Sequence, residues 1–329
     1  MTRIGILSFA HMHAAAYAHC LKQLANVEFV GIADEDASRG QAAATQFGTR
    51  FYPSYEALLA AGVDGVIVTS ENAKHLPLVR MAAAAGADVL CEKPIATNMA
   101  DGREIIRLCR EAGVKLMIAF PVRYSPSVIA LKKAVDSGQL GQIYAVKATN
   151  RGHMPGGWFT DLKLAGGGAV IDHTVHVMDL VNWFWHAPVR RVYAEVGQDL
   201  LWKEGCDDAG IITFELANGI FGTLDTSWSR PRTFPIWGDV TMDIVAQGGL
   251  VQMSVFEQTV QAYSDREGAV SWTGWGSDPD LGLIKDFVDV VSSDREPPIT
   301  GEDGLYALEV ALAAYAAAAS GRVVELPLE

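Results

Sequence analysis

The chain has 329 residues, a length typical of two domains. Half of the residues are apolar and 20% are charged, which is ordinary for a folded globular protein and excludes a mainly disordered chain. A formal net charge of −13 provides no overall attraction for nucleic acid or for an anionic membrane, so we expect neither as a partner.

Cysteine spacing and the start of the chain predict a cytoplasmic protein. The four cysteines are isolated and form no CxxC motif, which is typical of a long chain in a reducing compartment. Arg3 and the apolar run Ile4–Ala10 imitate the beginning of a secretion signal. His11 and His13 interrupt that apolar region, however, and the same run fits a first buried strand.

The first third of the chain alternates short apolar runs with helical patterns. This alternation predicts βαβ units and a parallel sheet covered on both faces, as in a Rossmann-type α/β domain. The predicted strands are Arg3–Ser8, Val27–Ala33, Gly65–Thr69, Asp88–Cys91 and Lys115–Ala119. The predicted helices are Ala14–Leu24, Ala37–Gln46, Tyr55–Ala60, Ala73–Ala85 and Met99–Ala112.

The pattern changes at the proline-containing segment Phe120–Pro126, a plausible hinge between residues 1–122 and 123–329. Beyond it, many alternating segments follow one another with few helices, which predicts an open-faced, mainly antiparallel sheet in an α+β domain. The predicted strands are Tyr144–Thr149, Val189–Val196, Ala209–Glu215, Ile220–Ser227, Val240–Ala246, Leu250–Val255 and Val323–Leu326. Helices are predicted at Ser127–Ser137, Gly168–His186, Leu281–Val291 and Asp303–Ala319.

The turn after the first strand is where a dinucleotide-binding fold holds pyrophosphate, normally with a GxGxxG motif. Ser8 and Ala10 occupy the first two glycine positions, so the turn alone does not identify a nucleotide site. Asp34, at the end of the second strand, is placed to accept the ribose hydroxyls of NAD and to repel the extra phosphate of NADP. The alternative is that Asp34 only caps the next helix.

Polar residues also follow two later strands of the predicted sheet, and open parallel sheets bind ligands at the carboxyl ends of their strands. In Glu92-Lys93-Pro94, the proline restricts the chain directly after a lysine, which makes Lys93 a candidate for stabilising a hydroxyl or an oxyanion. The candidate cofactor-binding residues are Ser8, Phe9, Ala10, His11, Met12, His13, Asp34, Thr69, Ser70, Glu71, Asn72, His75, Glu92, Lys93 and Arg123.

The chain resembles the Gfo/Idh/MocA oxidoreductases, a family that includes glucose–fructose oxidoreductase and inositol 2-dehydrogenase. The residues that carry the resemblance span almost the whole chain: Asn72, His75, Glu92-Lys93-Pro94, Arg123, Gly166-Gly167-Gly168, Asp172, His176, Pro298–Gly304 and Gly321–Val323. The resemblance implies a dinucleotide-binding domain at residues 1–122 and a substrate-binding and oligomerisation domain at residues 123–329. It also implies bound NAD, preferred over NADP, and a homodimer or homotetramer formed through the C-terminal sheet.

Asp172 and His176 are four residues apart in a predicted helix, so they share one face of it. A carboxylate beside an imidazole suits proton transfer near neutral pH. By resemblance, Lys93, Asp172 and His176 form the catalytic set: His176 removes a hydroxyl proton, and Lys93 stabilises the alkoxide as its carbon loses hydride. Asp172 aligns His176 or holds a neighbouring hydroxyl. The alternative is that Asp172 and His176 only pair inside a buried helix.

The Gly/Pro-rich loop 150–158 precedes this helix and is a candidate wall for a sugar or polyol substrate. The candidate substrate contacts are Arg151, His153, Trp158, Asp172, His173 and His176. A metal site built on His173 and His176 lacks a second ligand motif, so we expect no metal. The tryptophan-rich segments Trp228–Arg232 and Trp272–Trp275 fit carbohydrate binding or a subunit interface, and we assign most of their residues to the interface.

The leading hypothesis is an NAD-dependent dehydrogenase that acts on a sugar, a sugar acid or a cyclitol. Two alternatives remain open. The first is a glycosidase of the same fold that recycles bound NAD, and the second is a non-catalytic NAD-binding sensor.

Overall fold

The computed structural model describes residues 1–266, 268–274 and 276–328, which form two compact units. The first unit contains Met1–Pro121, Lys163–Gly166 and Pro279–Leu305. The second contains Val122–Leu162, Gly167–Asp278 and the chain from Tyr306 onward. Trp275, one of the tryptophans assigned to an interface above, lies outside the described residues.

The first unit is built on a six-stranded sheet with the strand order β3-β2-β1-β4-β5-β6, in which all neighbours are parallel. This order confirms the predicted Rossmann-type sheet. The strand β3 is missing from the sequence prediction because two residues are too few to show a pattern. The strands are β1 (Thr2–Leu7), β2 (Val27–Ala33), β3 (Phe51–Tyr52), β4 (Gly65–Val68), β5 (Asp88–Cys91) and β6 (Leu116–Ile118).

The second unit contains a seven-stranded sheet with the order β12-β11-β7-β10-β9-β8-β15. All neighbours are antiparallel except β7 and β10, which confirms a mainly antiparallel sheet. A separate hairpin, β13 with β14, was not predicted. The strands are β7 (Ile143–Gly152), β8 (Val189–Gln198), β9 (Asp207–Leu216), β10 (Phe221–Ser227), β11 (Gly238–Ala246), β12 (Gly249–Ser254), β13 (Thr259–Ser264), β14 (Ala269–Gly274) and β15 (Val324–Glu325).

All but one of the helices begin and end close to the predicted positions, and the short helix Leu162–Ala165 was not predicted. They are α1 (His13–Gln23), α2 (Ala37–Phe47), α3 (Tyr55–Leu59), α4 (His75–Ala84), α5 (Met99–Ala112), α6 (Pro126–Asp136), α7 (Leu162–Ala165), α8 (Ala169–Trp185), α9 (Pro279–Val291) and α10 (Gly301–Ser320). Short 3₁₀ turns cover Asn72–Lys74, Pro121–Tyr124 and Gly157–Thr160. None of the helices within the described ranges combines the length and the apolarity needed to cross a bilayer.

Helix α8 is the core helix of the second unit. Apolar residues occur all around it, as expected for a helix that is buried on every side. Val177 and Leu180 on the helix, and Ile212 and Leu224 on the sheet, have no exposed surface. Asp172, His173, His176 and Asp179 are the ionisable residues of this buried helix, and all four are buried.

Candidate active site

The β1–α1 turn begins in the geometry that a glycine normally supplies. Ser8, at the first glycine position of the motif, has φ = 72°, in the left-handed region. Neighbouring groups hold it there: its N–H donates to the Ala33 carbonyl oxygen (2.7 Å), and the Thr69 hydroxyl donates to its own carbonyl oxygen (2.7 Å). The Ser8 hydroxyl oxygen in turn accepts the Ala10 N–H (3.2 Å). The turn therefore keeps the left-handed start of a dinucleotide loop without the glycine.

Asp34 lies beside this turn, and its side chain is fully buried. One carboxylate oxygen accepts the Phe9 N–H (2.6 Å) and Arg39 Nε–H (2.9 Å), and the other accepts the Asp36 N–H (2.8 Å) and Arg39 Nη2–H (2.7 Å). The hydrogen bond to Asp34 raises the pKa of the Arg39 guanidinium. The capping alternative is wrong for Asp34, because Asp36 caps α2 by accepting the N–H groups of Ser38 and Arg39.

Polar side chains crowd the carboxyl ends of β1, β4 and β5. His11, Thr69, Ser70, Glu71, Asn72, His75, Glu92 and Lys93 are all buried, each less than 9% exposed. Burial lowers the pKa of His75, whose Nδ1 lies 3.0 Å from the Pro94 carbonyl oxygen. Because burying unpaired polar groups is unfavourable, so dense a set is unusual for a purely structural core.

Glu92 is the charged centre of this set. One of its oxygens accepts the Lys93 N–H (3.0 Å), and the other lies 3.0 Å from His13 Nδ1 and 3.9 Å from His11 Nδ1. Burial acts to raise the pKa of Glu92, but the positive charges of His11, His13 and Lys93 outweigh burial and hold the pKa well below its usual range. Burial likewise acts to lower the pKa of His13, and Glu92 outweighs it, so that pKa is raised.

In the second unit, the glycine run before α8 serves close packing at the start of the helix. A Cβ on Gly168 would lie 2.0 Å from the Asp207 carbonyl oxygen, and one on Gly167 would lie 2.2 Å from the Tyr315 hydroxyl. The Asp207 carboxylate accepts the N–H groups of Gly168 (2.7 Å) and Val170 (2.8 Å). Asp207 therefore caps the helix that carries Asp172 and His176.

Tyr315 completes this cap. Its hydroxyl donates to Asp207 (3.0 Å) and accepts the N–H groups of Gly168 and Ile171 at 3.2 Å each. Burial raises the pKa of Asp207 and raises that of Tyr315 well above its ordinary value. The N-terminal turn of α8 thus has buried acceptors for its orphan N–H groups, which fixes the position of the helix.

Asp172 contacts two partners that sequence reasoning did not assign to it. Trp228 Nε1–H donates to its carboxylate (3.2 Å), and His173 Nε2 lies 3.3 Å from the same oxygen. His173 Nδ1 lies 2.8 Å from the carbonyl oxygen of Asn150, so Nδ1 must carry a proton to donate there. A hydrogen bond between Nε2 and Asp172 then requires a second proton, shared between the imidazole and the carboxylate.

The interface assignment is wrong for Trp228, which is 1% exposed. Its indole packs in a buried cluster with Phe159, Ala169 and Cys206. Trp237, which was not singled out from the sequence, stands edge-on to the His173 ring at 5.2 Å. The aromatic residues of this part of the second unit therefore surround the Asp172–His173 pair.

His176 and Arg123 lie on buried elements of the same unit. His176, one helical turn beyond Asp172, is 5% exposed. Arg123 Nε–H donates to Asp179 of α8 (2.8 Å), and its guanidinium lies over the Trp183 ring at 5.1 Å. The structure thus pairs Arg123 with a carboxylate of its own unit.

The candidate substrate residues divide between two faces of the sheet. Gly152 packs against the His173 ring, since a Cβ there would lie 2.9 Å from His173 Cε1. Successive strand residues point to opposite faces, so the side chain of Arg151 points away from α8. On that opposite face of the sheet, Arg151 pairs with Asp239 (3.1 Å).

His153 lines a different groove, of about 230 Å³, with Met154, Trp202, Arg230 and Arg232. Trp158 stacks on Phe159 at 3.9 Å.

Two family models match the chain. Residues 3–120 match the model described as "Oxidoreductase family, NAD-binding Rossmann fold", and residues 128–252 match the "GFO/IDH/MocA C-terminal domain". The chain belongs to the GFO/IDH/MocA oxidoreductase family. It is therefore an oxidoreductase with an NAD-binding Rossmann fold.

Named relatives and a solved structure agree with this membership. A 1,5-anhydro-D-fructose reductase of Ensifer adhaerens is 28% identical over 91% of this chain and 91% of its own length. A myo-inositol 2-dehydrogenase of Thermotoga maritima is 25% identical over 98% of both chains. The crystal structure of GenD2 from gentamicin A biosynthesis, in complex with NAD, has a TM-score of 0.90 and 26% identity, covering 99% of this chain and 97% of that one.

Proposed function

We propose that this family member is an NAD-dependent dehydrogenase that oxidises a CH–OH group of a sugar, a sugar acid or a cyclitol. The observation that carries the proposal is the placement of Asp172 and His176 on a buried, mostly apolar helix with a capped N-terminus. Burying a carboxylate and an imidazole costs free energy unless they are used. The names of the relatives, a reductase of an anhydrosugar and a dehydrogenase of inositol, support the substrate class.

In this proposal, Lys93 and His176 act on one substrate hydroxyl, and Asp172 aligns His176 or holds a neighbouring hydroxyl. His176 accepts the hydroxyl proton, and Lys93 stabilises the negative charge that develops on the oxygen. Bound NAD supplies the hydride acceptor. The joint role of Lys93 and His176 follows from their sequence motifs, and the buried environments found around each of them support it.

Asp172 acts as a positioning residue. Its carboxylate is oriented by Trp228 Nε1–H and by His173, so its direction is determined on two sides. His173 and Trp237 are therefore proposed as walls of the substrate site, together with the neighbouring loop that carries His153.

A preference for NAD over NADP is proposed from Asp34 and the negative charge of Glu35. Both carboxylates disfavour a phosphate on the adenosine ribose. Arg39 opposes this preference, because its positive guanidinium attracts a phosphate. The guanidinium is one-third exposed and is held against Asp34. We expect a preference that depends on the Asp34–Arg39 pair.

The groove beside His153 favours a substrate that carries an acidic group. Arg232 brings positive charge to it, and Arg230 lies beside it in an ion pair with Asp239. Trp202 provides an aromatic wall, and its indole N–H donates to the Trp228 carbonyl oxygen (2.8 Å). Trp228 also contacts Asp172, so the groove adjoins the proposed reaction site within the second unit. A sugar acid fits this arrangement better than a neutral sugar.

We also propose a homodimer or homotetramer formed through the open face of the seven-stranded sheet. Ile211, Phe221 and Val245 are each about half exposed there, at 51%, 57% and 48%. Exposed apolar residues on a sheet face are typical of a subunit contact. The cytoplasmic location stays a prediction.

A panel of neutral sugars, sugar acids and cyclitols tests the function. Each compound is incubated with the protein and NAD, and the absorbance of reduced nicotinamide is followed. We expect one compound class to give NADH in a one-to-one ratio to the ketone or lactone formed. Hydrolysis of a glycoside without NADH accumulation would support the recycling glycosidase instead, and NAD binding with no turnover on any compound would support the sensor.

A further inference from the structure

His11, His13 and Glu92, predicted above as cofactor contacts, form a cluster to which the proposed hydride transfer assigns no chemical role. One ligand atom from each residue lies within 4.8 Å of those of the other two. The two imidazole rings are 4.4 Å apart between centroids. Two imidazoles and one carboxylate in such proximity are a common ligand set for divalent transition metals.

The geometry points to a site for a divalent transition-metal ion, Zn²⁺ in particular, held by His11, His13 and Glu92 at the β1–α1 turn. The Glu92 oxygen that faces the cluster is 3.0 Å from His13 Nδ1 and 3.9 Å from His11 Nδ1. Ligand atoms around a tetrahedral ion with bonds of about 2.0–2.2 Å lie roughly 3.3–3.5 Å apart, so small side-chain rotations are sufficient to place the ion.

The surroundings favour binding at this place. The second Glu92 oxygen is held by the Lys93 N–H (3.0 Å), which orients the first toward the histidines. Such an outer contact is typical of metal sites. The His13 N–H donates to His11 Nδ1 (3.2 Å), so an ion bound at that nitrogen would replace this hydrogen bond. His13 is 27% exposed, whereas the side chains of His11 and Glu92 are at most 1% exposed, so an ion would enter past His13.

The donor set also selects the class of ion. Only one of the three side chains offers oxygen, which disfavours Mg²⁺ and Ca²⁺, because these ions take oxygen ligands. Three protein donors leave at least one position of a tetrahedral ion for water or a ligand oxygen. Glu92 supplies one negative charge, and Lys93 nearby limits the affinity by Coulombic repulsion.

Cobalt and zinc binding to the full chain, without NAD or substrate, tests the site. After treatment with EDTA, Co²⁺ is titrated and its visible d–d absorption is followed, and Zn²⁺ is then added as a competitor. We expect close to one Co²⁺ per chain, tetrahedral-type absorption and displacement by Zn²⁺. His11→Ala, His13→Ala and Glu92→Gln should each weaken binding by at least ~10²-fold.

His19→Ala is the matched control, because His19 is an exposed histidine on the same helix as His13, and it should bind Co²⁺ like the unaltered chain. Circular dichroism checks that each variant is folded, and His13→Gln replaces His13→Ala if the latter is not. Absence of d–d absorption in the unaltered chain, or equal binding by folded His13 variants, would overturn the site. The metal titration contains no NAD and no substrate, so neither outcome bears on the proposed dehydrogenase activity. The substrate panel tests that activity separately.

Discussion

Removal of the Asp207 carboxylate should destabilise the second unit through the N-terminus of α8. Asp207→Ala deletes the acceptor of the Gly168 and Val170 N–H groups. The Gly168 N–H retains the Tyr315 hydroxyl at 3.2 Å, but the hydrogen bond from Val170 to Asp207 is lost. Hydrogen bonds to a charged acceptor contribute about 1.5–3 kcal/mol each.

Two effects determine how far Asp207→Ala lowers the free energy of unfolding. The lost bonds destabilise the folded state, and relief of a buried charge offsets part of that loss, since burial raises the pKa of Asp207. We expect a fall in the free energy of unfolding of about 2–4 kcal/mol. In urea, this corresponds to a midpoint lower by roughly 1 M.

Tryptophan fluorescence provides the assay, because every tryptophan that the structure describes belongs to the second unit. Asp207→Ala is compared with Asp243→Ala, whose side chain is 38% exposed and which should stay within about 0.5 kcal/mol of the unaltered chain. If Asp207→Ala unfolds at the same urea concentration as Asp243→Ala, the cap does not hold α8 and the reasoning is refuted.

Three further predictions concern the cofactor turn, the glycine run and the buried histidines. Asp34→Ala should weaken NAD binding by ~10–10²-fold and release Arg39 for the NADP phosphate, and an unchanged NAD-to-NADP ratio in calorimetry would contradict this role. Gly168→Ala should abolish soluble expression, because its Cβ would lie 2.0 Å from the Asp207 carbonyl oxygen. Gly274→Ala should express normally, because the nearest atom to its Cβ would be 3.9 Å away. An NMR titration should place the pKa of His13 above its ordinary 6.5 and that of His75 below it, and the reverse order would disprove the described environments. Protonated His13 therefore stabilises the folded state fully below pH 6.5, and this stabilisation is lost as the pH rises through its raised pKa. His75 has the opposite effect: it lowers the free energy of unfolding as the pH falls below 6.5, because the folded state resists its protonation.

The fold class could be predicted because hydrophobic periodicity is local. The strands and helices of the Rossmann-type sheet follow from runs of a few residues, and the buried nature of α8 follows from apolar residues on all of its sides. Strand β3 could not be predicted, since it is too short. The β13–β14 hairpin was overlooked, although its strands are separated by only four residues that include Gly268, a pattern typical of a hairpin.

The contacts of the candidate site were only partly predictable, because they join residues that are distant in the chain. Tyr315 and Asp207 form a hydrogen bond although they are 108 residues apart in the sequence. Trp228 and Asp172 do so although they are 56 residues apart. No local pattern marks either pair. With Ser8 and Ala10 at the glycine positions, the turn alone did not identify a nucleotide site, but the left-handed Ser8 shows that neighbouring hydrogen bonds can hold a serine where a glycine is usual.

The turnover number of Lys93→Ala and His176→Ala, measured with NAD and the substrate that the panel identifies, tests the central claim most directly. The account predicts a fall of ~10²–10⁴-fold in each variant while the fold is retained. Turnover close to that of the unaltered chain in either variant would contradict the assignment of the reaction to these side chains.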